Sequence, residues 1–404
     1  MRVLALVPSF FGPSGDAVNE RQLLMTLAGK VKRCYIITFI GFKQIFTKRR
    51  AELNIPLPKN MILIPLPFPQ INILIVCFVT IIVSCFMSIV SLILNMLKKI
   101  DLIYIRNSFL SVGFLTFQSL ARKTIVKIPA IIEDEITDGV IIKSLIKKIT
   151  SFTDRLVLAR AGKVAVNGRP FYYELVRRRS FKHKNDPLEI PPGVNLNLIK
   201  SVKDGISGKI SPNLSKERYI VGFLGLITWW QGIDVLVKSI AKLKKMNLEK
   251  SIKLLLVGDG PERRRIEDLC KKLEIDYEIT GFVEHEKALE YLSMFDVLVL
   301  PSYRISTTKS NIPIKVIEAW ALGVPVIVTR HKSFLSRNIR DYEDVVYCEP
   351  DSNSVTKAIL TILTNEEFKR KIRANGLRLA EQFDYNRIAE KLLKAFDNCT
   401  DLKY

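Results

Sequence analysis

The sequence predicts an α/β chain of two doubly wound, Rossmann-like domains, on its length, its rhythm of short apolar runs and one clear break between two such series. At 404 residues the chain exceeds one ordinary core, and two domains of about 200 residues are the economical division. In the N-terminal half VLALVPSF, CYIITFI, MILIPLP, DLIYIR, IPAIIED and GKVAVNG alternate with helical or amphipathic segments. A second series, YIVGFLG, IKLLLVGDG, DYEITGF, DVLVLPS, VPVIVT and VVYCEP, does the same. Short apolar runs separated by helices are the pattern of mostly parallel sheets covered on both faces. The break falls at LEIPPGVN, Leu188 to Asn195, where two prolines and a glycine stop a strand.

These signals give a first domain over 1–195, a linker over 196–217 and a second domain over 218–385. The last amphipathic helix, 386–404, is expected to pack back on the first domain. The opening MRVLALVPSFF is short, has no small-residue cleavage site and runs into Gly-Pro-Ser-Gly, so it reads as the first strand. One segment departs from the rhythm. From Asn72 to Leu97 there are 26 residues without a charge, followed by Lys98 and Lys99. As a helix it would be about 39 Å long, enough to cross roughly 30 Å of hydrocarbon. The strands on either side belong in one sheet, however, and a single crossing would separate them. An in-plane or re-entrant membrane helix meets both constraints; a wholly buried core helix is the alternative.

Sixty-two Lys and Arg against 40 Asp and Glu give a net charge of +22, which implies an anionic partner. No helix-turn-helix or zinc-ligand spacing accompanies the charge, so nucleic acid is not expected. Phosphorylated small molecules and anionic lipid headgroups remain. Between Lys143 and Lys200 stand 13 basic residues against four acids, including Arg177, Arg178, Arg179, Lys182 and Lys184, either a lipid-attracted patch or a solvated face. The six cysteines have no CxxC or framework spacing, as in a reduced intracellular protein.

Three stretches carry the chemistry. In GFLGLITWWQGIDVLVKSIAKL a strand ends at glycines, Gly225 among them, and a helix starts after Gln231 and Gly232. Such a turn lets backbone N–H groups approach a phosphate. LLLVGDGPERRRIEDL repeats the arrangement at Gly258. In DVLVLPSYRISTTKSNIPIKVIEAWALGVPVIVT a strand ends at Pro301, a polar loop carries Arg304, Lys309 and Ser310, and Lys315 and Glu318 follow on a helix stopped by Gly323. Cations and helix amides can meet phosphates there, and the carboxylate can bind a ribose diol.

Together these stretches, with GPSGDAVNE near the start, DLIYIRNSF, PPGVN, VGDGP and the terminal EQFDYNRIAEKL, resemble glycosyltransferase family 4, retaining enzymes of the GT-B fold. The resemblance implies two Rossmann-like domains facing across a cleft, the second holding a nucleotide diphosphate sugar and the first an acceptor. Glu318 matches the second glutamate of the family's Glu-x7-Glu motif, which contacts the donor ribose. The first falls on Ser310, and the family's usual Arg and Lys after the first glycine turn fall on Leu226 and Gln231. Diphosphate neutralisation is therefore assigned to Arg304, Lys309 and Lys315. A family histidine in the first domain is replaced by Glu133, Asp134 and Glu135, so Glu133 and Glu135 are the catalytic candidates, unless the cluster only caps a helix. Gly15 would present a helix N-terminus to the donor phosphates, or be a simple loop. Trp229 and Trp230 line the cleft or pack against the linker. His183, His285 and His331 have neither metal nor triad spacing and receive no role.

The expected reaction moves a hexose from a nucleotide diphosphate sugar to an acceptor hydroxyl with retention, by front-face attack and with no metal or other cofactor. The apolar segment and the charge point to a lipid-linked saccharide or glycolipid acceptor at the anionic cytoplasmic face of the cell membrane, the chain being peripheral or monotopic. A degenerate partner subunit or a nucleotide-sugar epimerase of the same fold are the alternatives.

Overall fold

Among the described residues, with strands numbered in chain order, seven parallel strands form the first sheet in the order 3-2-1-4-5-6-7 and six form the second in the order 10-9-8-11-12-13. The computed structural model describes all residues except 9, 12–14, 42–56, 69–72, 133–139, 183–185, 208–217, 247, 249–250, 304–311 and 401–404. The chain divides into two units, Met1–Pro191 with Tyr385–Tyr404, and Pro192–Asp384.

In the first unit the strands are β1 (Arg2–Val7), β2 (Arg33–Gly41), β3 (Met61–Phe68), β4 (Leu102–Arg106), β5 (Thr124–Ile128), β6 (Lys163–Val166) and β7 (Leu188–Glu189). Helix α1 (Gly15–Ala28) follows β1. Every described residue of β4 and β5 is buried, as expected of strands covered on both faces. The direction of winding reverses between β1 and β4, which places a crevice outside their carboxyl ends.

The apolar segment forms α2 (Ile73–Met96), which connects two strands of this sheet and packs on α3 (Ser108–Thr116). The contact is close because Gly113 has no side chain: a Cβ there would lie 2.5 Å from the Ser84 carbonyl oxygen. Ser84 Oγ donates to Leu110 O at 2.6 Å and accepts from Gly113 N at 2.9 Å. One face of α2 is thus sealed by protein. Helices α4 (Val140–Arg160) and α5 (Arg169–Arg178) follow later in this unit. The basic run at their end is partly structural. Arg179 is buried in an ion pair with Asp154 at 2.8 Å, and Arg177 and Arg178 both bond Glu174.

The segment after PPGVN is a helix of the second unit and not, at its start, a linker: α6 (Leu196–Ser207) buries Ile199 and Val202, and Asn195 Oδ1 caps its Asn197 and Leu198 amides at 3.1 Å. The rest of the expected linker, 208–217, lies outside the described residues. The second sheet consists of β8 (Arg218–Leu224), β9 (Ser251–Val257), β10 (Tyr277–Ile279), β11 (Val297–Leu300), β12 (Val326–Thr329) and β13 (Val346–Cys348). Between them run α7 (Ile233–Lys244), α8 (Arg263–Lys272), α9 (His285–Ser293) and α10 (Ile314–Leu322), and α11 (Ser352–Thr364) and α12 (Glu366–Ala380) close the unit. Val194 N donates to Phe383 O at 2.9 Å, so the first and last segments of this unit pair with each other. The final helix, α13 (Tyr385–Thr400), belongs to the first unit, where Tyr385 Oη donates to Asn19 Oδ1 at 2.9 Å and Lys30 pairs with Glu390 at 2.8 Å.

Candidate functional site

In the second sheet the winding reverses between β8 and β11, and five of the residues singled out by spacing, Gly225, Gln231, Gly258, Lys315 and Glu318, collect at the carboxyl ends of these strands and of β9. Strand β8 is followed at once by Gly225, whose φ of 131° is closed to ordinary side chains. Strand β9 is followed by Gly258, where a Cβ would lie 2.1 Å from Gly225 O. Gly225 N donates to Val257 O at 2.9 Å and Ile227 N to Asp259 O at 2.8 Å, so the two turns lean on each other and need glycine to do so.

Lys315 stands in the first turn of α10. Its Nζ donates to Leu224 O at 2.7 Å, lies over the Phe223 ring at 4.6 Å and would be 2.8 Å from a Cβ on Gly225. Desolvation of the ammonium pushes its pKa down to about 7. One turn on, Glu318 is 4% exposed, and its Oε1 is 2.6 Å from His285 Nε2 at the start of α9. With Glu318 as carboxylate the ring nitrogen donates. Gln231 lies in a short 3-10 turn, Trp229–Gln231, before α7. Trp229 is 55% exposed and stacks on Tyr303, just past β11, with ring centroids 6.4 Å apart. Tyr303 N donates to Trp230 O at 2.8 Å, which ties the β8 and β11 turns together.

Gly225, Gln231, Gly258, Lys315 and Glu318 therefore share one edge of one unit. Gly15 is the exposed first residue of α1, in the other unit. Arg304, Lys309 and Ser310 lie outside the described residues, as do Glu133, Asp134 and Glu135. Spacing missed His285. It begins a helix without any motif around it, and its contact with Glu318 is what marks it.

Spacing also missed a cluster at the carboxyl edge of the first sheet. Glu20, on α1, is fully buried and takes Lys127 Nζ at 2.8 Å, Tyr104 Oη at 3.0 Å and Arg106 Nε at 3.6 Å. Arg106 also reaches Asp16 Oδ2 at 3.1 Å. Burial alone would raise the Glu20 carboxyl, but the Lys127 and Arg106 charges and the bonds from Lys127 and Tyr104 hold it below the ordinary range. The available signal was a basic residue closing one apolar run, Arg106 in DLIYIR, and another set inside the next, Lys127 in TIVKI. Among the described residues no group of three or more His, Cys, Asp or Glu is placed to hold a metal ion.

Residues 209–378, which make up most of the second unit, match the family model described as Glycosyl transferases group 1. The chain is similar to a D-inositol 3-phosphate glycosyltransferase of Stackebrandtia nassauensis, 25% identical over 53% of this chain and 50% of that one. It is also similar to a Campylobacter jejuni enzyme named as an alpha-1,4-N-acetyl-D-galactosaminyltransferase acting on a diphospho-undecaprenol-linked saccharide, 29% identical over 46% and 51% of the two chains. These alignments span about half the length of the curated relatives. Among solved structures, sucrose-phosphate synthase of Thermosynechococcus elongatus has a TM-score of 0.72 at 20% identity, covering 100% of both chains. HepE of Anabaena, solved with UDP and glucose, has a TM-score of 0.68 at 16% identity, covering 98% of this chain and 100% of that one. The fold is thus the one the sequence predicts, with two parallel-sheet Rossmann-like domains, neighbours of GT-B type and an apolar helix in the first domain.

Proposed function

We propose that the chain is a retaining hexosyltransferase that moves a sugar from a nucleotide diphosphate donor to a lipid-linked saccharide or glycolipid at the cytoplasmic face of the cell membrane. The observation that carries the reading is the edge formed by Gly225, Gly258, Lys315 and Glu318 within the residues matching the group 1 model. Two glycine turns keep side chains away from the place where a diphosphate would lie against backbone. The positive end of α10 and the Lys315 ammonium favour the negative charge that grows on the departing nucleoside diphosphate. Glu318, held by His285, offers its carboxylate to a ribose diol.

In this reaction the acceptor hydroxyl attacks the anomeric carbon from the face the diphosphate leaves, and the departing phosphate oxygen takes the hydroxyl proton. No protein nucleophile is required. Glu133 and Glu135 remain the candidates for orienting the acceptor or donor sugar, and Arg304 and Lys309, with Ser310, those for the donor diphosphate. HepE, solved with UDP and glucose, and the Campylobacter jejuni relative, named for a lipid-linked acceptor, support the donor and acceptor classes.

A screen of nucleotide diphosphate sugars by melting temperature, followed by transfer assays on polyprenyl diphosphate saccharides, tests the reading. One donor should raise the melting point, and Glu318→Ala should weaken its binding about 10–100-fold, as expected for hydrogen bonds to a charged group. Absence of a shift with every nucleotide sugar and free nucleoside diphosphate removes the donor site; unchanged donor binding in Glu318→Ala removes Glu318 from it.

A further inference from the structure

Helix α2 is built inside out for a water-soluble protein. Its protein-covered face is small or polar: Cys77, Thr80, Ser84, Ser88 and Ser91 are all buried. Its open face is large and apolar, with Phe78, Ile82, Phe86, Ile89, Ile93 and Met96 each more than half exposed. At 100° per residue these six fall within a stripe about 80° wide, roughly opposite the buried serines. Small residues allow close helix contact, here with α3, while an exposed stripe of this kind marks a surface that is covered in use.

The surface extends beyond α2. Helix α3 is buried along most of its length and packs against both α2 and α4. Thr153 Oγ1 of α4 donates to Ser108 Oγ at 3.1 Å, and Arg160 reaches Leu115 O at 3.3 Å. The opposite side of α4 exposes Leu145, Lys148, Phe152 and Arg155 on one stripe, with Phe152 66% exposed. Lys98 and Lys99, exposed just past α2, add two cations.

Resting on the membrane-surface part of the proposed function, we propose that the outer faces of α2 and α4 form one monotopic docking surface for an anionic lipid leaflet. The α2 stripe enters the acyl boundary, and Phe152 with Lys148, Arg155, Lys98 and Lys99 seats on the headgroups. Because the serine face of α2 stays sealed against α3, the helix enters one leaflet and does not cross. The charge belongs to α4 and the end of α2, since Arg177, Arg178 and Arg179 already serve acidic partners.

The test uses the full chain and phosphatidylcholine vesicles with and without phosphatidylglycerol, in co-sedimentation without donor or acceptor. The parent should bind the vesicles containing phosphatidylglycerol. Ile82→Asn/Phe86→Asn/Ile89→Asn should lose at least about tenfold in partitioning and Lys148→Glu/Phe152→Ser about fivefold, with melting temperatures preserved. A bimane probe on Cys85, which is exposed on α2, should shift its emission to the blue with these vesicles in a chain carrying Cys399→Ser. Failure of the parent to bind, unchanged partitioning in either variant, or an unshifted probe overturns the proposal. So does a parent that forms a dimer the triple variant abolishes while neither binds vesicles. Donor-induced melting shifts are read separately, so the docking surface and the transferase reading can fail independently.

Discussion

Two lysines at equivalent edges of the two sheets show how differently this chain uses a desolvated cation. Lys127, 1% exposed in the first unit, is answered by the Glu20 carboxylate, which also serves Tyr104 and Arg106. Lys315 in the second unit is answered by a backbone carbonyl and an aromatic face, and its pKa falls to about 7. A carboxylate compensates a buried ammonium and fixes the fold; a carbonyl dipole compensates it only in part and leaves it short of negative charge. The first edge is therefore a structural joint. The second is suited to an anionic ligand.

The largest expected effect separates these roles by stability. Lys127→Met leaves Glu20 buried with Tyr104 as a donor and Arg106 as its one remaining close cation, and should cost about 3–5 kcal/mol in denaturant unfolding, the range for breaking one partner of a buried pair. Lys315→Met removes a desolvated charge and should leave stability unchanged or raise it slightly. Equal losses in the two variants would end the distinction between the edges.

A smaller effect reads Lys315 through pH. Its folded pKa lies below the unfolded value of about 10.4, so between about pH 7 and 10 the unfolded chain binds more protons and this group makes stability rise with pH. Donor binding has the opposite sign. A diphosphate that keeps the ammonium protonated must take up a proton above pH 7, so its Kd should rise by up to about tenfold per pH unit. Titration calorimetry at pH 6.5 and 8.5 measures this, and Lys315→Met should flatten the slope. An identical slope in parent and variant removes Lys315 from the diphosphate.

Most of the fold was legible because buried parallel strands leave apolar runs and prolines or glycines at their ends, as at DLIYIR and LEIPPGVN. The linker reading misjudged Leu196–Ser207 because its helix depends on a cap from Asn195 and on two buried apolar residues, Ile199 and Val202, a short signal beside PPGVN. In the candidate site, the shared edge of Gly225, Gly258, Lys315 and Glu318 was legible because each lies inside a strand–turn–helix pattern. Glu20 and His285 were not. Their roles come from partners 107 and 33 residues away, Lys127 and Glu318, and nothing local announces such a pairing.

The smallest effect concerns that last pair and asks whether the second edge also fixes its groups before a ligand arrives. His285 Nε2 lies 2.6 Å from Glu318 Oε1, so one rotamer of the carboxylate is held in place. His285→Asn should release it and raise the donor KM about threefold with kcat nearly unchanged, in keeping with one hydrogen bond of about 0.5–1.5 kcal/mol. A cycle with Glu318→Ala isolates the coupling: if His285 acts through Glu318, adding His285→Asn to Glu318→Ala should change donor affinity little. Additive losses would mean that His285 meets the donor itself or supports another part of the edge. Glu318 would then be held by its burial in α10 alone.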